Sequence, residues 1–201
     1  MQSIARQAVV FALAGWSGFF VMAVELLSGR ILAPNFGNSI YVWGGVITVF
    51  MLALSVGYLL GGHYSMRTPS LRRLGGILIA ASIATLPVVI FGDRLLDWIF
   101  DRVQDPRYGS LLAASMLFFV PTAISGAVSP YAIRLLVTRL QACGRSAGFV
   151  YFVSTFGSAA GTIATAFYLV ALFDVDQILI GVMTISAVLG LVAVLFNEAK
   201  Q

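Results

Sequence analysis

An all-α, polytopic membrane fold is predicted by three observations: six long apolar runs, a composition far from that of soluble domains, and basic residues gathered on one side of those runs. The runs cover residues 8–27, 39–60, 74–91, 111–130, 148–173 and 178–196. Each approaches the roughly 20 residues that a helix needs to cross about 30 Å of hydrocarbon. Lipid offers the backbone no water, so such runs must close their own hydrogen bonds as helices. Hydrophobic residues make up 60% of the 201-residue chain and charged residues 10%, against about 25% charged in ordinary soluble domains. Mean hydropathy is +0.97. The longest connection, residues 92–110, is too short for a folded soluble domain, so residues 1–201 are expected to form a single membrane domain.

The net charge of +4 follows the membrane and does not point to nucleic acid. With the N-terminus inside, Arg6, Arg67, Arg72, Arg73, Arg134, Arg139, Arg145 and Lys200 fall on the inner side, while Arg30, Arg94, Arg102 and Arg107 fall outside. Glu198 is the one inner acid. This positive-inside asymmetry predicts an inner (cell) membrane protein with both termini cytoplasmic. Residues 1–6 and the following apolar run resemble a signal peptide, but the run continues to Leu27 without a small-residue cleavage site. It is therefore expected to stay as the first helix.

After Glu25 comes Leu-Leu-Ser-Gly-Arg30, and then Pro34 and Gly37 predict a break. Asn38 or Ser39 is placed to cap the second helix by accepting its free N–H groups. Pro69 and the arginines at 67, 72 and 73 mark an inner turn. Between the third and fourth spans, acids recur at 93, 97, 101 and 105 among Leu95, Leu96, Trp98, Ile99 and Val103. That pattern predicts an amphipathic helix over 93–104 lying on the outer membrane surface. The Asp row is either a solvated face or a cation-attracting rim. Pro121 and Pro130 predict kinks in the fourth span. The connection 173–176 is short enough to force a tight antiparallel hairpin of the last two spans.

Cys143 and His63 each stand alone, and no Cys/His/Asp/Glu cluster has ligand spacing, so neither a metal nor a cofactor is expected. Gly57/Gly61 and Gly157/Gly161 have the small-xxx-small spacing of close helix contacts. They occupy corresponding places in two three-helix halves, as in inverted-repeat transporters. They serve helix packing within the chain or docking to another. Glu25 is the ionisable residue set well inside a span. It either pairs with Arg30, at i+5, or forms a cation or proton site.

Several stretches resemble the membrane domain of fused spermidine synthase-like proteins. They are the run Glu25–Arg30, Ala33-Pro-Asn-Phe-Gly-Asn-Ser39, Trp43 and Gly57-Tyr58-Leu-Leu-Gly61-Gly62. Pro121, Gly126, Pro130 and Arg134 follow in order, and then Gly148-Phe-Val-Tyr151-Phe-Val-Ser154-Thr155-Phe-Gly157-Ser-Ala-Ala-Gly161. The resemblance covers roughly Gly15 to Leu172 and implies a six-helix module similar to half of a major facilitator transporter. Met66 stands where that family commonly has an Asp before the loop arginine. The 201 residues contain no βαβ segment or glycine-rich cofactor loop, so the family's aminopropyltransferase-like activity is not expected of them.

Two functions compete. One is a non-catalytic membrane module that docks, or serves as an accessory subunit to, a membrane or soluble protein partner. The other is a transporter of small cations such as polyamines, working as a homodimer of half-facilitators. Glu25, Tyr58, Tyr151, Ser154 and Thr155 would then approach a central path. An intramembrane enzyme lacks a nucleophile–base pair and ranks behind both.

Overall fold

A computed structural model describes residues 4–66, 68–137 and 143–198, the side chains of 197 and 198 excepted. Among these the chain is an all-helical bundle in which six helical stretches are long and apolar enough to cross a membrane. The first three spans are α1 (Ile4–Phe36), α2 (Ile40–Ser65) and α3 (Leu71–Phe100). The fourth is α4 (Pro106–Gly126) continued by α5 (Val128–Leu136). The fifth joins α6 (Cys143–Ile163), a π-helical segment (Ala164–Leu169) and the single turn α7 (Val170–Leu172). The sixth is α8 (Val175–Glu198). One end of the bundle carries Arg6, Arg72, Arg73, Arg134 and Arg145. The other carries the aspartates at 93, 97, 101, 105, 174 and 176. Arg67, Arg139, Lys200 and the Glu198 side chain, which share in the charge asymmetry, lie outside the described residues.

Helix α1 runs past the expected break at Pro34. The proline lacks only its own N–H, and the last turn still closes through Gly37 N–H to Ala33 O at 2.9 Å. Gly37, at φ +76°, ends the helix, because the left-handed region is open to glycine at little cost. Ser39 takes the N-cap position of α2 but its side chain makes no capping bond. Asn38 instead accepts a hydrogen bond from the Trp43 indole N–H.

The surface helix expected over 93–104 is instead the last turns of α3, which is unbroken to Phe100. Its apolar side divides: Leu96 and Ile99 are buried in one core with Leu32 and Phe36, while Trp98 stays exposed. Of the Asp row, Asp97 accepts from the Asn35 amide at 3.0 Å, and Asp105 caps α4 by accepting Arg107 N–H at 2.9 Å. Pro121 leaves α4 continuous, whereas the fourth span breaks at Ala127. Pro130 has no N–H to offer the Gly126 carbonyl four residues back, which explains the break there.

The spans pack in pairs, α1 on α6, α2 on α4 and α3 on α8. Small residues set each pairing. A Cβ on Gly161 would stand 2.6 Å from Phe19 O, one on Gly61 would stand 2.6 Å from Ala127 Cα, and one on Gly190 would stand 2.6 Å from Gly75 O. Close backbone approach of this kind maximises dispersion where lipid supplies no hydrophobic drive between helices. At the basic end Tyr131, with no exposed surface, accepts the Ser70 N–H at 3.1 Å and so fastens the start of α3 to α5. Tyr131→Phe is expected to cost about 0.5–1.5 kcal/mol, read as a lowered unfolding midpoint in mixed detergent micelles.

Candidate functional site

The fifth span is the least covered part of the bundle. Only 11% of its most apolar 18 residues are buried, against 33–56% in the other five spans. It touches α1 along a narrow stripe through Val150, Gly157 and Gly161, where a Cβ on Gly157 would overlap Gly15. Its remaining surface divides into two flanks.

Phe149, Phe152 and Phe156 stack on one flank, with ring centroids 6.1 and 6.2 Å apart. Such a flank suits lipid. The other flank carries Tyr151, Ser154, Thr155, Ser158 and Thr162, at helical spacings of three, four, seven and eleven residues that keep them on one side. Ser154 Oγ lies 3.4 Å from Ser129 Oγ of α5, so the inner edge of this polar flank meets α5 while Tyr151 and Thr155 stay exposed. Tyr151 and Tyr58 of α2 sit within electrostatic reach of each other. They are 54% and 46% exposed.

Glu25 belongs to the same face. The Gly18 position abuts Ser154 O and the Ser158 hydroxyl, and Glu25 follows it by seven residues, two turns along the same side of α1. The two helices run parallel, since Gly15 meets Gly157 and Phe19 meets Gly161. Carried along that register, Glu25 stands near the level of residues 161–167. Its side chain is partly buried, and its carboxylate makes no hydrogen bond or ion pair with any described residue. The Glu25–Arg30 pair, one of the two alternatives the sequence left open, is not formed, because five residues turn the helix about 140° past the starting side.

Arg30 lines a different place, a pocket of about 280 Å3 with Leu26, Asn38, Trp43 and Thr165. Thr165, wholly buried in the π segment, leaves its hydroxyl without a partner. Single π turns inside α-helices gather at functional sites, where they re-aim side chains.

The sequence grouped Glu25, Arg30, Tyr58, Tyr151, Ser154 and Thr155 as binding residues; in the structure Tyr58 lies near Tyr151 on the flank that also carries Ser154 and Thr155, whereas Arg30 lines a separate pocket. Gly57, Gly61, Gly157 and Gly161 are all taken up by contacts within the chain, so none of them is a docking surface. A stripe of small and polar residues on α2, of which the sequence reading singled out only Tyr58 as a site, runs through Gly44, Thr48, Ser55, Tyr58 and Gly62. Thr48 and Ser55 are exposed and return their hydroxyls to Gly44 O and Met51 O at 2.7 and 2.8 Å. Nothing lies within 4 Å of a Cβ built on Gly44 or Gly62. Their spacing of 4, 7, 3 and 4 residues was the available signal, but GxxxG at 57–61 is the stronger pattern. Among the described residues no three His, Cys, Asp or Glu side chains gather as metal ligands. Comparison with known proteins gives no match: no family model, no characterised sequence and no solved structure resembles the chain.

Proposed function

We propose that this chain is a non-catalytic integral membrane module that docks a membrane-embedded partner protein through the face shared by α2 and α6. The observation that supports it most is the uncovered fifth span, whose Tyr151 lies near Tyr58 of the exposed Thr48–Ser55–Tyr58 stripe. Lipid tails cannot satisfy a carboxylate or a phenol, so intramembrane polar groups of this kind face protein or a watery cavity. Small residues beside them admit a neighbouring helix closely. In a half-facilitator-like module, which the resemblance to fused spermidine synthase-like proteins implies, a second unit of similar size covers such a face. The orientation proposed with it is both termini in the cytoplasm.

A second reading rests on the polar row itself. Two copies joined across this face would enclose Glu25, Tyr58, Tyr151, Ser154 and Thr155 from each side. Such an enclosure is a path for a small cation, polyamines included.

Gentle detergent extraction at native expression level, with mass determination, tests the first reading. The expected result is a complex with another membrane polypeptide. A clean homodimer would transfer the proposal to the second reading, to be tested by polyamine uptake into liposomes. A monomer with no partner would overturn both. Gly44→Leu/Gly62→Leu, which fills open space on the face, is expected to leave the isolated chain monodisperse and helical. It should lower partner recovery about ten-fold, the effect of losing roughly 1.4 kcal/mol of association.

A further inference from the structure

A groove of about 800 Å3 lies on another side of the bundle, between α2, α3 and α4. Its volume falls within the roughly 300–1,000 Å3 typical of small-molecule sites. The walls are apolar: Val56 and Leu60 come from α2, Ile77 and Ala80 from α3, and Val120 and Ile124 from α4. Gly76 opens onto it with nothing within 4 Å of a Cβ built there. From Val56 to Tyr64, α2 rises roughly 12 Å, close to the depth of one leaflet's hydrocarbon, about 15 Å.

Only the basic end of the groove is polar. Arg73 sits there with its guanidinium 5.8 Å from the centre of the Tyr64 ring. One of its nitrogens donates to Thr68 O at 2.9 Å, which fixes the side chain and leaves other donors of the five free. His63 and Tyr64 are exposed at the same mouth. Every acid whose side chain is described, apart from Glu25 within α1, lies toward the opposite end of the bundle. A leaflet-deep apolar channel with a fixed cation at its mouth matches a molecule with an acyl chain and an anionic head.

We propose that this groove binds an anionic phospholipid, with one acyl chain along α2, α3 and α4 and its phosphate on Arg73. Basic pockets between membrane helices recognise acidic headgroups in this way, while an uncharged groove would take any lipid. The site is separate from the α2–α6 face and does not depend on the docking proposal.

Native mass spectrometry of the purified full chain tests it, from micelles doped with equal phosphatidylglycerol and phosphatidylcholine. Wild type should retain phosphatidylglycerol about five-fold over phosphatidylcholine, the effect of one cation at an anionic surface. Arg73→Gln should abolish that preference. Gly76→Leu, which occupies the groove without meeting a neighbour, should lower retention of both lipids. Millimolar inorganic phosphate should displace neither. Helicity and monodispersity confirm that each variant is folded. Equal retention of the two lipids by wild type overturns the proposal. So does unchanged phosphatidylglycerol retention in Arg73→Gln or in a folded Gly76→Leu, or displacement by free phosphate, which would mark an anion site without an acyl chain.

Discussion

Gly157→Leu is expected to prevent the fifth span from packing on the first and to leave little folded protein after extraction. A Cβ at this position meets the carbonyl and Cα of Gly15, both backbone atoms of a buried helix. No rotamer relieves such an overlap, so the two helices must separate. Separation would also pull the Gly161 position from Phe19 and the Ser154 backbone from Gly18. Even Gly161→Ala, where the new methyl stands 2.6 Å from Phe19 O, should cost about 1–3 kcal/mol through overpacking. The fifth span has few other contacts to compensate, since so little of it is buried. Gly148→Ala is the matching control, because no atom lies within 4 Å of the added carbon and a helical Gly→Ala exchange gains about 0.5–1 kcal/mol. Size-exclusion profiles and thermal melts in one mild detergent rank the three. A Gly157→Leu variant melting with wild type would show that α1 and α6 do not pack as described.

The same residues show what a membrane sequence discloses and what it hides. Apolar runs located six spans, because hydrocarbon thickness fixes how many residues must be apolar. They did not locate helix ends. Helix α1 extends nine residues beyond Leu27 to Phe36, as hydrogen bonding continues through Gly29 and Pro34 after hydropathy has dropped. The segment after Phe91 is amphipathic, as the sequence implied. Whether its apolar side meets lipid or protein depends on Leu32 and Phe36, some sixty residues earlier, and no local pattern carries that information. Small-residue spacing found Gly57/Gly61 and Gly157/Gly161 but not what they touch. The third pairing, Gly75 against Gly190, has no GxxxG repeat and was invisible. The π segment was equally hidden, since a single wide turn leaves no composition signature and is known only from hydrogen bonding.

Glu25→Gln is expected to leave the stability of the isolated chain unchanged within about 0.5 kcal/mol, the range of substitutions that break no specific contact. Partner association should nevertheless fall at least about ten-fold, or roughly 1.4 kcal/mol. The reason lies in where the carboxylate stands. It lies partly buried on the first span, with neither Arg30 nor any other described side chain as a partner. Removing its charge therefore orphans nothing within the chain. A structural ion pair would behave differently: Glu25→Gln and Arg30→Gln would then destabilise the isolated protein by similar amounts, and the double variant would cost no more than either single one. Thermal melts of the two single variants and the double variant separate these cases before any partner is known. Co-purification of the Glu25→Gln variant with the partner then examines the docking face directly. If stability and association both survive the change, Glu25 serves neither role, and the open face must be assigned from Thr48, Ser55 and Tyr58 alone. If only association is lost, the carboxylate meets a donor or cation on the partner, and the partner's complementary charge is where the search for it should begin.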